Sequence, residues 1–271
     1  MGQKETVERT PAPLTVTSLS TDLRALGLGA AHTVLVHSSL SAIGWVAGGA
    51  QAVVLALEEV VGSEGTVVMP SHSNHLTDPA GWSNPPVPES WHEVIRSNTP
   101  AFDIDMTPAG GMGAIVDCFR SQPDTVRSNQ PRDSFCARGP LARRITDGHS
   151  LAFGLGEKSP LARLYDLDAV VLLLGVGHAA NTSFHLAEYR AEWPSKRVIA
   201  EGAPVLIEGE RRWERFQDVE LNADDFATIG AAFERATYAV RAGLVGLAEC
   251  RLMSQQAAVD YAVTWIEANR T

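Results

Sequence analysis

The stretch Val170-Val171-Leu172-Leu173-Leu174-Gly175 decides the fold of this chain. Its five consecutive apolar residues lack the alternation of a half-exposed strand, which predicts a strand buried on both faces of a largely parallel sheet. After Gly175 the chain continues into a loop and a helix that carry His185 and Glu188. Because α/β sheets bind ligands at the carboxyl ends of their strands, we expect a functional site directly after Leu174.

Two further strands are predicted upstream. Val34-Leu35-Val36-His37 is a short β-branched run, and Gly65-Thr66-Val67-Val68-Met69-Pro70 is another buried one. Between them, Gln51 to Val61 has an apolar face at helical spacing. Strand, helix and strand in this order predict a parallel pair, since parallel neighbours need a crossover connection.

The rest of the chain alternates loops with helices and a hairpin. Ser71 to Gly111 is rich in Pro, Ser, Asn and Trp, which predicts a long functional loop over the carboxyl edge of the sheet. The other expected elements are helices near Ser18–Leu26, Met112–Arg120 and Leu161–Leu164, a loop at Arg127–Phe135, antiparallel strands at Arg197–Ile207 and Arg211–Phe216, and helices at Phe226–Ala242 and Ser254–Ala268.

These elements predict the α/β class. We expect a central mixed, largely parallel sheet flanked by helices, with a smaller antiparallel strand region near the C-terminal third. Residues 1–17 are expected to form a flexible N-terminal arm, and residues 18–271 a single domain.

Composition limits the function classes. The net charge of −10 disfavours a nucleic-acid partner, which needs a basic surface, and permits a cationic ligand. No apolar run is long enough to span a bilayer, so no membrane partner is expected. Cys118, Cys136 and Cys250 lie far apart without a CxxC spacing, which argues against a disulfide framework or a zinc knuckle and predicts a cytoplasmic protein.

His185 is the candidate for a catalytic base. If Asn181 or Thr182 begins the helix after the Leu174 strand, His185 lies in its first turn and Glu188 follows three residues later on the same face. The helix dipole there disfavours the imidazolium, and a neutral imidazole can take the proton that an amine must lose before it is acylated. From the spacing alone, an ordinary, partly buried histidine is an equal alternative.

A metal site is a second alternative. Nitrogen and oxygen ligands could converge from five residues: His72, His75, His178, His185 and Glu188. Because His72 and His75 lack the i, i+4 spacing of a zincin helix, the sequence favours a site without a metal.

Two loops are suited to a nucleotide-like donor. His37-Ser38-Ser39-Leu40 and Gly44-Trp45-Val46-Ala47-Gly48-Gly49 place hydroxyls and backbone N–H groups between the first strand and its helix. Arg127-Ser128-Asn129-Gln130-Pro131-Arg132-Asp133-Ser134-Phe135 sets two arginines beside hydroxyls, which suits phosphates. A tight turn and surface salt bridges are the alternative interpretations.

Carboxylates gather in Asp218-Val219-Glu220-Leu221-Asn222-Ala223-Asp224-Asp225, just before a predicted helix. Asp224 or Asp225 is expected to be its N-cap. The other functional interpretation is that one or two of these carboxylates face His185, where they would orient its imidazole or attract a polyamine.

Several motifs follow one another over residues 20 to 268: His37–Leu40, Gly44–Gly49, Gly65–Pro70, Pro100–Asp103, Thr107–Gly113, Arg127–Pro131, Ser159–Leu161 and Gly175–Glu188. In this order and spacing they resemble the aminoglycoside 3-N-acetyltransferase family. A resemblance over nearly the whole chain is more specific than any single motif.

The resemblance implies an α/β fold distinct from the common GNAT acetyltransferases. It implies acetyl-coenzyme A as donor, no metal, and the 3-amino group of the 2-deoxystreptamine ring of a cationic aminoglycoside as acceptor, and hence antibiotic resistance. It further implies His185 as base in a direct transfer without an acyl-enzyme, in a monomer or homodimer.

The resemblance and the carboxylate cluster at 218–225 together give the expected site residues. Catalysis is assigned to His185, Glu188, Glu220 and Asp225. The donor is assigned to His37, Ser38, Ser39, Leu40, Ser73, Phe102, Thr107, Met112, Arg127, Ser128 and Phe135. The acceptor is assigned to Ser71, His72, Glu188, Asp218 and Asp225.

One position departs from the family pattern. Members often carry an aspartate shortly before the pair Asn181-Thr182, where this chain has Ala179. The change affects either the orientation of His185 or the grip on a cationic acceptor, and Glu220 or Asp225 is expected to compensate. It keeps open a protein that sequesters a ligand without chemistry, and the fold alone does not decide between an aminoglycoside and another amine as acceptor.

Overall fold

A computed structural model describes residues 2–271. The helices are α1 Gln3–Arg9, α2 Val16–Leu26, α3 Leu40–Ile43, α4 Gly49–Val61, α5 His92–Asn98, α6 Ala114–Arg120, α7 Ala142–Thr146, α8 Pro160–Asp166, α9 Ser183–Arg190, α10 Phe226–Thr237 and α11 Gln255–Asn269. The strands are β1 Thr33–Ser38, β2 Thr66–Pro70, β3 Val126–Arg127, β4 Phe135–Arg138, β5 Val170–Leu174, β6 Val198–Ile207, β7 Glu210–Val219, β8 Arg241–Val245 and β9 Ala248–Ser254.

A seven-stranded mixed sheet forms the centre of the molecule, in the order β3-β4-β2-β1-β5-β9-β8. Its middle strands β2, β1 and β5 are parallel, with Thr33 opposite Thr66 and Ser38 opposite Leu174. Antiparallel β4 and β9 extend the sheet on either side. The predicted parallel pair, the buried Val170–Leu174 strand and the α/β class are confirmed.

Side chains on the parallel strands alternate between two apolar layers. Val34, Val36 and Leu172 pack with helices α2, α4 and α6 on one face. Leu35 and Leu173 pack with α7 to α11 on the other face. Because a strand turns successive side chains to opposite faces, an uninterrupted apolar run satisfies both layers at once.

A long two-stranded hairpin, β6 and β7, makes the smaller antiparallel sheet. Glu208 and Gly209 close it with φ of 52° and 82°, the left-handed pair that a two-residue hairpin turn requires. The N–H of Phe102 donates to the carbonyl of Pro204 at 2.9 Å, and that of Phe153 to the carbonyl of Gln217 at 3.0 Å. The hairpin is thereby held over the loops at the carboxyl edge of the main sheet.

Several predicted elements were wrong in type or extent. The long loop at 71–111 contains α5 and three short 3-10 turns, and the predicted loop at 127–135 includes strand residues of β3 and β4. The helix predicted to reach Ala242 ends at Thr237, where Tyr238 adopts a left-handed φ of 53°. Arg241–Val245 is instead an edge strand whose first four residues are exposed, so it lacks the apolar alternation that marks a strand.

The N-terminal segment contains α1 and contacts the body of the protein. The Arg9 guanidinium donates to the carbonyl of Ala42 at 3.0 Å, and Leu14 forms a parallel bridge with Val46. The segment expected to be a flexible arm therefore contains helix α1 and contacts with the rest of the protein. None of the helices within residues 2–271 is long and apolar enough to span a bilayer.

Gly230 of α10 packs directly on His178, in the loop between β5 and α9. A Cβ at Gly230 would lie 1.9 Å from Cγ and 2.3 Å from Cβ of His178, so an added methyl group forces one element to move. Alanine is intrinsically better than glycine in a helix by about 1 kcal/mol, but overpacking a buried contact costs about 1–3 kcal/mol.

We therefore expect Gly230→Ala to lower the free energy of unfolding in urea denaturation, despite its better helix propensity. Gly29→Ala is the matched control, because no atom lies within 4 Å of its added Cβ. A Gly230→Ala protein more stable than the parent would contradict this packing.

Candidate active site

The carboxyl ends of three parallel strands bring the candidate residues together. His37 is near the end of β1, Ser71 and His72 follow β2, and β5 leads through a 3-10 turn into α9 with His185. Along β1, His37 lies two residues after Leu35, so its side chain faces the same layer as α9. The structure therefore gathers His37, His72 and His185 at one edge of the sheet.

His185 is held by a fully buried carboxylate. It is the third residue of α9, as predicted, and its Nδ1 lies 2.6 Å from Oε2 of Glu188. Oε1 of Glu188 accepts from the Arg270 guanidinium at 2.6 Å and from the N–H of Asn222 at 2.9 Å. With Nδ1 on the carboxylate, Nε2 of His185 is the nitrogen left to accept a proton, and it has no hydrogen-bond partner within residues 2–271.

The helix begins as the sequence predicts, and both candidate residues lie at its N-terminus. Thr182 is the N-cap residue, but the side chain that accepts a backbone N–H is that of Asn181, from Ser183 at 3.2 Å. Ala179 lies exposed in the 3-10 turn before it. The missing aspartate is not needed to orient His185, because Glu188 already does so.

The compensating carboxylates predicted for Ala179 have other partners. Glu220 pairs with Arg197 at the surface, and Asp225 pairs with Arg270 at 2.7 Å. Asp225 also occupies the N-cap position of α10, although its side chain caps no N–H group. Neither residue contacts His185. Asp225 is linked to it indirectly, because Asp225 bonds Arg270, which in turn bonds Glu188.

Arg270 is a site residue that the sequence did not reveal. It stands beyond the end of the last helix, 82 residues from Glu188, and its guanidinium also packs over the Trp193 ring. The sequence around Arg270 contains no local pattern that indicates a pairing with the distant Glu188.

Burial keeps two of the gathered histidines neutral. Burial, together with the nearby His72 and His185, lowers the pKa of His37 to about 3. Burial lowers the pKa of His72 to about 4, with Asp133 acting in the opposite direction. The Nε2 of His72 and the Oγ of Ser38 are buried without a partner among the described residues, and Nε2 of His37 lies 3.3 Å from Oγ1 of Thr182.

Arg127 joins the predicted donor residues into one cluster. Its guanidinium donates to the carbonyls of Ser71 at 2.7 Å and Thr107 at 2.5 Å, and to the hydroxyl of Ser73 at 2.9 Å. It also lies 4.9 Å from the centre of the Phe102 ring. Burial lowers the pKa of Arg127 to about 10, and its hydrogen-bond partners are all neutral oxygens.

Several of the other predicted donor residues contact side chains or backbone of the protein itself. Phe135 is fully buried against His72, with ring centres 5.3 Å apart. The hydroxyl of Ser128 bonds the ring of His149 at 2.9 Å and the N–H of Phe135 at 2.9 Å. Met112 packs against the core on the opposite side, and Ser39 and Leu40 begin α3.

Asp218, predicted to bind the acceptor, is fully buried and already bonded. It accepts from the Tyr189 hydroxyl, from the Arg132 guanidinium and from the N–H of Val219 at 2.8 Å. Burial beside Asp218 raises the pKa of the Tyr189 hydroxyl. Arg132 also contacts Asp133 at 2.8 Å and Glu201 at 3.3 Å, so three carboxylates surround this one cation.

The metal interpretation finds no support in these contacts. Across residues 2–271, no three His, Cys, Asp or Glu side chains gather where they could hold a metal ion. His178 instead bonds Glu234 at 2.8 Å, on the α10 side of the loop, and His75 is exposed.

The sheet edge, the histidine–carboxylate pair and the donor loops together define a group-transfer enzyme of the α/β class. The sequence model of the aminoglycoside 3-N-acetyltransferase family matches residues 35–267. The chain belongs to the aminoglycoside 3-N-acetyltransferase family and is an acyltransferase of this type.

Relatives of this chain match over nearly their whole length. The SPbeta prophage-derived aminoglycoside N(3')-acetyltransferase-like protein YokD of Bacillus subtilis (strain 168) is 50% identical over 267 residues, covering 98% of this chain and 97% of the relative. Aminoglycoside N(3)-acetyltransferase VIII of Streptomyces fradiae is 37% identical over 287 residues, covering 99% and 97%.

Solved structures share the fold. The crystal structure of YokD from Bacillus subtilis matches with a TM-score of 0.95 at 50% identity, covering 98% of each chain. The aminoglycoside acetyltransferase AAC-IIIb, in a binary complex with CoASH, matches with 0.84 at 32% identity, covering 95% of this chain and 97% of the other. AAC-VIa bound to sisomicin matches with 0.85 at 30% identity, covering 96% and 100%.

The depressed histidine pKa values predict acid sensitivity. The unfolded chain binds protons on His72 below its ordinary pKa of 6.5, whereas the folded protein does so only near 4. Because the unfolded state then binds more protons, stability falls as pH decreases between these values, by about 2 kcal/mol from pH 7 to pH 5 for one such histidine.

We expect His72→Gln to flatten the pH dependence of the free energy of unfolding, measured by urea denaturation at pH 7, 6 and 5. His92→Gln, at a partly exposed position on α5, is the control for the replacement of a histidine by glutamine. An unchanged slope in His72→Gln would mean that this ring takes up its proton over the same pH range in the folded and unfolded proteins.

Proposed function

We propose that this protein transfers the acetyl group of acetyl-coenzyme A to the 3-amino group of an aminoglycoside, with His185 as general base. The observation that carries the proposal is the bond between Nδ1 of His185 and the buried carboxylate of Glu188. It fixes the tautomer, so that Nε2 presents a lone pair at the carboxyl edge of the sheet.

The residues at this edge fit an acyl-coenzyme A donor. Acetyl-coenzyme A supplies an activated thioester carbonyl when it is bound. The unpartnered hydroxyl of Ser38 and the buried Nε2 of His72 are polar groups that can bond the amide or carbonyl groups of such a donor. The neighbour AAC-IIIb was solved with CoASH, which supports the same class of donor here.

His185 acts on the proton of the attacking amine. As the amine nitrogen bonds to the thioester carbon, Nε2 takes one N–H proton, and the imidazolium is stabilised by Glu188 across the 2.6 Å contact. The C–S bond breaks with its electron pair on sulfur, and the proton on Nε2 passes to the thiolate. The products are the acetylated amine and the free thiol, and His185 returns to its neutral form without an acyl-enzyme.

Excess negative charge next to the site favours a cationic acceptor. Asp133, Glu201 and Asp218 surround the single cation Arg132, and Glu201 keeps 20% of its side chain exposed. A bound polycationic amine would reduce the electrostatic repulsion among these three carboxylates. AAC-VIa, whose structure was solved with bound sisomicin, supports an aminoglycoside as that amine.

We expect His185→Ala to fold normally and to lose about 10²–10⁴-fold in kcat, the range supplied by a positioned base. The measurement is thiol release from acetyl-coenzyme A with gentamicin, apramycin and a simple polyamine as separate acceptors. Near-normal kcat in this variant excludes His185 as base. Transfer to the polyamine alone would favour the second candidate function, acetylation of a non-aminoglycoside amine by the same fold.

Glu188→Gln tests the orienting carboxylate. The amide removes the charge that stabilises the imidazolium, so kcat should fall by about 10²-fold or more while KM for both substrates changes little. Glu59→Gln is the matched control, because Glu59 pairs with Arg24 at the surface and belongs to none of the expected sites. An equal loss of kcat in both variants would contradict a specific role for Glu188.

A further inference from the structure

Thr182 contacts both histidines on which the site is centred. Its hydroxyl oxygen Oγ1 lies 3.3 Å from Nε2 of His37, at the end of β1. Its carbonyl oxygen accepts from the backbone N–H of His185 at 3.0 Å, in the first turn of α9. One residue thus connects the imidazole of the central strand to the start of the helix that carries the base.

The ring of His37 differs from that of His185 in its surroundings. His185 has a carboxylate on Nδ1, whereas the contact with Thr182 is the one hydrogen bond of the His37 ring within residues 2–271. Burial and the neighbouring histidines hold the pKa of His37 near 3, so the ring is neutral at pH 7. A neutral imidazole has one nitrogen that donates and one that accepts.

The contact between Thr182 and His37 is compatible with either neutral tautomer of the ring. Either the Thr182 O–H donates to an unprotonated Nε2, which leaves the ring proton on Nδ1, or an Nε2–H donates to Oγ1 of Thr182. The hydroxyl has no other acceptor among the described residues, which favours the first arrangement. Nδ1 of His37 has no partner in residues 2–271, so in that arrangement its N–H is free to donate to a bound ligand.

We propose that Thr182 holds His37 as the Nδ1–H tautomer and that this N–H donates a hydrogen bond to the carbonyl oxygen of the donor's thioester. The inference rests on the proposed function and gives the second histidine a role in it. As the amine attacks, the carbonyl π electrons move onto that oxygen, where a fixed donor stabilises the charge more than it stabilises the substrate. When the C–S bond breaks, the electrons return and the carbonyl re-forms.

The two imidazoles then have opposite roles. His185 accepts a proton, because a carboxylate stabilises its charged form. His37 donates a hydrogen bond and keeps its proton, because its buried environment has no carboxylate bonded to it. Similar side chains acquire different functions from their partners, which is the usual logic of paired titratable groups at active sites.

Variants of His37 separate the two nitrogens. His37→Asn places an amide N–H near the position of Nδ1, whereas His37→Gln places it near Nε2. We expect His37→Ala to lose about 10²–10³-fold in kcat, as for loss of one oxyanion donor, with KM for acetyl-coenzyme A within a few-fold. His37→Asn should retain at least 10-fold more kcat than His37→Gln. Equal activity of the Asn and Gln variants, or near-normal kcat in His37→Ala, would overturn the proposal.

Thr182 is tested as a positioning residue. Thr182→Val keeps the shape but removes the hydroxyl, and it removes no helix cap, since the Thr182 side chain caps no N–H group. The expected loss in kcat is about 10-fold, and Thr182→Ser should recover most of it. Thr264→Val, at an exposed position on α11, is the control for threonine replacement in general. Thr182→Ser as impaired as Thr182→Val would indicate that the methyl group matters and would contradict the hydroxyl contact.

The tautomer is observable without turnover. In protein labelled with ¹⁵N-histidine, the His37 signal, assigned by its loss in His37→Asn, should show the proton on Nδ1 in the parent, and Thr182→Val should redistribute it between the two nitrogens. A parent ring with its proton on Nε2 overturns the proposal, whatever the kinetics show. The failure of the parent protein to release thiol with every acceptor would instead refute the proposed function, while the NMR result would still decide the tautomer.

Discussion

The buried carboxylate of Glu188 is the constraint on which the site depends. A fully buried carboxylate is costly unless its oxygens are bonded and its charge is paired, and removing the opposite charge of such a pair costs about 3–5 kcal/mol. Its partners come from three separate parts of the chain: the ring of His185, the N–H of Asn222 and the guanidinium of Arg270. Arg270 directly follows helix α11, so the placement of this helix is coupled to the orientation of His185.

The central sheet provides the place where these parts meet. Because β2, β1 and β5 are parallel neighbours, their carboxyl ends deliver His37, His72 and the loop to α9 to one edge. Arg127 connects the two ends of the long segment 71–111, because its guanidinium donates to the carbonyl oxygens of Ser71 and Thr107. Under the proposed function, the positive charge of Arg127, bonded only to neutral oxygens, suits an anionic donor, and the carboxylates around Arg132 suit a cationic acceptor.

The sequence could predict what is local. The apolar run of β5 and the i, i+3 spacing of His185 and Glu188 are short-range patterns, so the parallel core and the histidine–carboxylate pair followed from them. Strands β8 and β3 were missed because an exposed edge strand and a two-residue strand have no periodicity. Arg270 was missed, and Glu220 and Asp225 were assigned to His185, because the partner of a charged side chain is set by tertiary contacts between distant segments.

The departure at Ala179 illustrates the same distinction. By resemblance, the missing aspartate affects either the orientation of His185 or the binding of a cationic acceptor, and Glu220 or Asp225 is expected to compensate. In the structure Ala179 is exposed, and the carboxylate on His185 comes from its own helix. The departure from the family pattern at residue 179 would therefore affect His185 only if the side chain at this position contacted the residues that orient it. In this protein Glu188 and Arg270 already supply the contacts that orient His185. An aspartate at residue 179 would therefore affect a bound ligand, or have no effect.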